Sequence, residues 1–199
     1  MRKRTLFYLF MISLVGLAII VAGCTQPPKK ETAAGAQLYT AYNIWKHSSD
    51  RHMDCINFKS APTFIPAGTP VSDAKIRVFG QGSGSAAEKI QFTISSTGES
   101  IKIGLRRRWH PGKSLEDYFD RIFTTQNFGQ LTEGLSEAEI AAIKEGTVVG
   151  GMSKRAVLIA YGYPPEHRTP SLDADAWTYW MTTLAEIVIR FDEVGKVLP

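Results

Sequence analysis

GTVVGGMSKRAVLIAYGYPP, residues 146–165, holds four glycines, a Ser-Lys pair and an apolar run. The stretch either cradles a phosphate or starts a helix, and the two readings lead to different proteins. A P-loop needs Gly, four residues, then Gly-Lys-Ser/Thr. Gly146 plus four residues reaches Gly151, but Met152 follows, and Lys154 comes after Ser153. That displacement takes the lysine away from the outer phosphates. The preceding segment, EIAAIKEG, also has helical grammar where a P-loop wants a strand. The helix reading accounts for each position. Ser153 is an N-cap, Met152 and Val157 have hydrophobic-staple spacing, Gly162 is the C-cap, and Pro164-Pro165 block continuation. The spacing predicts a helix over 154–161.

Upstream, Ser136 and Glu139 have capping-box spacing, and Gly146 falls where a C-terminal cap belongs. A helix over 137–145 follows. Downstream, DAWTYWM and LAEIVIRF alternate like strands, with a turn at 192–195 and KVL as a last short strand. Parity puts Trp177 and Tyr179 on one face and Trp180 on the other.

IKEGTVVGGMSKRAVLIAYGYP, then DAWTYW and VIRFDEVGKV, resembles the BamE-like (SmpA/OmlA) domain of bacterial lipoproteins. The shared pattern is Gly-Met-Ser/Thr, a helix, Gly-x-Pro, a Trp-x-Tyr strand and Phe-x-x-x-Gly-Lys-Val. The resemblance covers residues 136–198. It implies two helices packed on an antiparallel sheet. Founding members of that family assist outer-membrane β-barrel assembly.

The preceding half reads as strands. LYTAYNIW (38–45), MDCINF, the TFIPAGTPV bend, AKIRVFG (74–80), KIQFTIS (89–95) and IKIGLRRRW give about five short strands, a small meander or open barrel. Ser114-Leu-Glu-Asp117 starts a helix with Leu115, Tyr118, Phe119, Ile122 and Phe123 on its apolar face. TTQNFGQLTEG reads as a polar linker. The expected class is α+β, with a β-rich domain over 36–123 ending in a helix and a BamE-like domain over 136–199.

The chain opens with Arg2, Lys3 and Arg4, then an uncharged run to Ala22. This is a signal-peptide pattern over 1–23. Val21-Ala22-Gly23-Cys24 resembles the bacterial lipobox, which implies cleavage before Cys24 and acylation of that cysteine. Residues 24–35 read as a flexible tether. The formal charge of +4 falls to about +1 once the three signal cations are removed, so basicity gives no support for nucleic-acid binding. The resemblance and the anchor together imply a bacterial cell envelope location. Thr25 after the cysteine lacks the Asp associated with inner-membrane retention, which favours the outer membrane facing the periplasm. Cys55 has no second cysteine left to pair with within the chain and reads as a buried small hydrophobe, with an intermolecular or reactive thiol as the alternative.

The chemistry is sparse. His47, His52, His110 and His167 are scattered and show no zinc spacing. No nucleophile elbow is present. Glu116-Asp117 and Asp192-Glu193 suit a helix start and a turn. No catalytic residue, cofactor or metal is expected. Arg106-Arg107-Arg108-Trp109-His110 is the sharpest charge cluster, its three arginines suited to lipid phosphates or an acidic partner, and Trp180 is the residue whose parity sets it on an open sheet face. These four form the expected partner surface, and Cys24 the lipid attachment site. The expectation is a non-catalytic binding or scaffold lipoprotein of the envelope, in contact with the membrane through its lipid and with an envelope protein partner. An envelope hydrolase with a dispersed site and a ligand-sensing module using the β-rich half are the alternatives.

Overall fold

A computed structural model describes residues 35–46, 53–80 and 87–199. Cys24, the signal, most of the tether, His47 and His52 lie outside the described residues. The fold is α+β. Six short strands occupy the first half: β1 (Leu38–Thr40), β2 (Ile44–Lys46), β3 (Thr63–Ile65), β4 (Pro70–Phe79), β5 (Ala87–Ile94) and β6 (Ser100–Gly104). Helix α1 (Leu115–Ile122) follows and runs straight into β7 (Phe123–Thr124). The second half holds α2 (Phe128–Leu131), α3 (Glu137–Glu145), α4 (Lys154–Tyr161), β8 (Ala176–Trp180) and β9 (Glu186–Arg190).

The five-stranded sheet has the order β6-β5-β4-β1-β7, while β2-β3 and β8-β9 form separate two-stranded sheets. The meander is therefore confined to β4, β5 and β6. Two expected strands are corrected. LYTAYNIW is not one strand: it breaks at Ala41–Asn43, sending β1 to the large sheet and β2 to β3. MDCINF is not a strand: it touches β6 through one bridge, Asp54 to Gly104, and then turns at Asn57, whose φ is 57°. That left-handed angle suits Asn better than most residues. The alternation misleads because Met53 and Cys55 to Lys59 are all buried, on both sides of the segment.

Local code decides the helices. Ser114, Ser136 and Ser153 each accept a backbone N–H three residues on, and the first two close capping boxes with Asp117 and Glu139. Gly146 ends α3 at φ 67°, and an added Cβ there would meet Phe64 at 2.7 Å. Both helices 137–145 and 154–161 have the expected bounds. The polar linker is not structureless: α2 sits in it, capped by Asn127, with Phe128 packed so close to Gly68 that a Cβ would lie 2.6 Å from it.

Two cores result. One fills the space between the large sheet and α1, with Ile90, Phe92, Ile101, Tyr118 and Ile122. The other lies between α3, α4 and the β8-β9 hairpin, with Ile143, Met152, Val157, Trp177, Tyr179 and Phe191. Burying each such side chain contributes about 1.5–3 kcal/mol. The second core also takes Trp45 and Ala67 from the first half. Polar side chains stitch the halves: Asn43 Nδ2 donates to Ile143 O at 2.7 Å, and Asn57 Nδ2 donates to Asn43 O and Tyr161 O. Buried Lys59 donates to Asn57 O and Tyr161 O, with its Nζ 4.3 Å from the Trp45 ring centroid.

Candidate functional site

Strand β6 delivers the chain to a 3-10 turn, Arg107–Trp109. The turn presents Arg107 and Arg108 outward as exposed side chains, and Trp109 inward. The Trp109 ring lies 5.1 Å from Trp180 and 5.4 Å from His167, centroid to centroid. His167 stacks on Trp180 at 6.0 Å with an interplanar angle of 9°. Phe58 closes the stack edge-on against Trp109 at 5.8 Å. Three guanidinium groups flank these rings: Arg106 and Arg108 at 5.9 and 5.5 Å from Trp109, and Arg168 at 5.8 Å from Trp180. Such contacts contribute about 0.5–1 kcal/mol each at exposed sites.

Of the four partner-surface residues read from the sequence, Arg106, Arg108 and Trp180 therefore meet, through Trp109, and Arg107 lies exposed on the same 3-10 turn. One of them needs correction. Trp180 is not an open anchor on a bare sheet face: it is half-buried under Trp109 and His167. Parity did place it opposite Trp177 and Tyr179, both fully buried against the helices. Arg106 is also partly committed, with Nε 2.7 Å from Asp54 Oδ2. Burial pushes the Asp54 carboxyl up, and Arg106 opposes that shift. Arg168 pairs with Glu186 across the strand end. Arg107 and Arg108 form no ion pair among the described residues.

Sequence reasoning missed a second cluster just behind this stack. His110, the residue after the 3-10 turn, is buried, and its Nδ1 lies 2.9 Å from Glu166 Oε2. Tyr118 OH contacts the same His110 nitrogen and donates to Glu166 Oε2 at 3.1 Å. Arg121 donates to Glu166 Oε1 and lies over the Tyr163 ring at 4.4 Å. Burial pushes the Glu166 carboxyl up, but the bonds from His110 and Arg121 outweigh it and hold the group at about 2. Burial and the adjacent Glu166 carboxylate push the Tyr118 phenol up. His110 Nε2 is buried without a hydrogen-bond partner among the described residues. The cluster ties the 162–170 loop to α1 and so sets the position of His167 and Arg168. No local signal joins His110 to Glu166, which are 56 residues apart.

A cleft of about 320 Å³ opens on another side, between α1, α4 and the linker that holds α2. Tyr42, Asp120, Phe123, Arg155, Leu158 and Tyr163 are among its lining residues. Its size falls within the range of small-molecule sites. Among the described residues no group of three or more His, Cys, Asp or Glu could hold a metal ion, and no helix is long and apolar enough to cross a membrane. Cys55 is buried and free, and burial pushes its thiol up, as suits an inert packing residue. Comparison with protein-family models, with curated proteins and with solved structures returns no match.

Proposed function

We propose that the chain is a lipid-anchored, non-catalytic binding or scaffold protein of the bacterial envelope, which holds a protein partner on the cationic aromatic stack. The observation that carries this reading is the convergence of Arg106, Arg108, Trp109, Arg168 and Trp180 on one surface, with Arg107 exposed on the same 3-10 turn. Tryptophan and arginine are the side chains that dominate binding hot spots. The Val-Ala-Gly-Cys24 motif supports an anchored location. The resemblance over 136–198 supports a role in envelope or outer-membrane assembly.

A second reading, an envelope hydrolase, takes its support from the His110–Tyr118–Glu166–Arg121 cluster, and it requires that buried His110 open to a substrate. The cleft supports a third, a ligand-sensing role. The discriminating experiment is affinity isolation of the full chain from solubilised envelope, run beside a broad substrate screen. A protein partner at fixed stoichiometry, without turnover, supports the scaffold. Turnover with no stable partner would sink it.

A further inference from the structure

Beside the stack, the β8-β9 turn carries Leu184 at 93% exposure. The turn is braced. Met181 N and Thr182 N both donate to Ala185 O, and Leu184 N and Ala185 N both donate to Thr182 Oγ1 at 3.1 Å. It is also tied across the seam, where Ser60 N donates to Met181 O and Lys59 N to Trp180 O. A large apolar side chain is thus held out in water on a hydrogen-bonded support. Trp180 and Glu186, paired across the hairpin, put Leu184 at the same end of the strands as the stack.

We propose that this end of the molecule receives an acidic segment of a partner protein, with carboxylates on Arg107 and Arg108 and an apolar residue against Leu184. The inference rests on the scaffold reading and deepens it by naming the partner's chemistry. The packing of the tryptophan rings favours an acidic protein over an anionic bilayer, and the arginines suit its carboxylates. The cations flanking the stack are arginines, whose planar fork matches a carboxylate or a phosphate at two points. Among the described residues Arg107 and Arg108 pair with no carboxylate, while Arg106 and Arg168 are held by Asp54 and Glu186. The tryptophan rings lie packed in a stack and do not project as wedges. Arg168 and Arg106 then frame the site, and Arg107, Arg108 and Leu184 meet the partner.

The test uses the full chain in its own envelope, with a benzophenone side chain introduced at position 184 and, as control, at exposed Thr97 on the β5–β6 turn. After irradiation the attached peptide is sequenced. The expected product at 184 is a protein segment rich in Asp and Glu. Its yield should fall about tenfold or more in R107E/R108E and severalfold in R107K/R108K, with none from position 97. Both arginines are exposed, so a thermal melt should show these variants folded. Adducts mainly to lipid, adducts to segments without carboxylates, or a yield unchanged in R107E/R108E would each overturn the inference. A partner isolated by affinity yet never attached at 184 overturns this surface while leaving the scaffold reading intact. Absence of any partner by either route removes both.

Discussion

Glu139 shows how much one buried carboxylate can organise. It accepts N–H and O–H bonds from Ser136, closing its own helix, and the same pair from Ser153, the cap of the next helix. Burial raises its carboxyl, but these four bonds outweigh the effect and hold it at about 2 against an ordinary 4.5. A depressed carboxyl stabilises the fold above its unfolded pKa, and that contribution is lost as pH falls through the folded one. Glu139→Gln should therefore cost on the order of 2 kcal/mol at neutral pH, and the difference from wild type should shrink between pH 4.5 and 2 in denaturant titrations. Lys59 is the opposite case. Burial lowers its ammonium well below 10.5, so the folded state binds fewer protons than the unfolded one in the alkaline range. Stability should rise with pH from the folded pKa up to about 10.5, and Lys59→Met should abolish that rise. A flat wild-type profile there would count against the burial of its Nζ.

At the scale of elements, the GGMSK turn is a helix start, and Lys154 has a structural task in it. Its Nζ donates to Leu172 O and Asp173 O and lies 5.2 Å from the Phe191 ring centroid. Ser153→Ala should cost about 1 kcal/mol through the lost cap. Lys154→Ala should cost about as much, by freeing the 172–173 loop, and should create no change in nucleotide affinity. Micromolar ATP binding that disappears with Lys154 would contradict both statements. These helices were legible because caps are local: Ser114, Ser136 and Ser153 each signal within three residues. The strands of the first half were less so. Their partners are set by tertiary pairing, and segments such as Cys55–Lys59 are buried on both sides, which erases any period. The site was half legible. Arg106–Arg108 stand out as charge and Trp180 as parity. Trp109 follows the arginines in the chain, but His167 and Arg168 join them only through packing; His167 Nδ1 reaches Trp109 O across 58 residues.

At the scale of the molecule, the stack sits on the seam between the two cores, so both halves build it. The first half supplies Arg106 to Trp109 and Phe58; the second supplies His167, Arg168 and Trp180. Glu166 lies behind the surface and fixes the loop that carries two of these residues. The seam is also where Asn43, Asn57 and Lys59 cross, so the two cores should melt as one transition by calorimetry and by near-ultraviolet dichroism. Two separated transitions would mean the stitching is weak.

The proposed function requires that a partner be held on this stack. Its most direct measurement is quantitative co-isolation of envelope proteins by the full chain, wild type against Arg107→Glu/Arg108→Glu, at matched melting temperatures. The account predicts that partner recovery falls about tenfold or more, corresponding to 1.4 kcal/mol or greater, while the melt is unchanged. Recovery equal to wild type in the charge-reversed protein would contradict it.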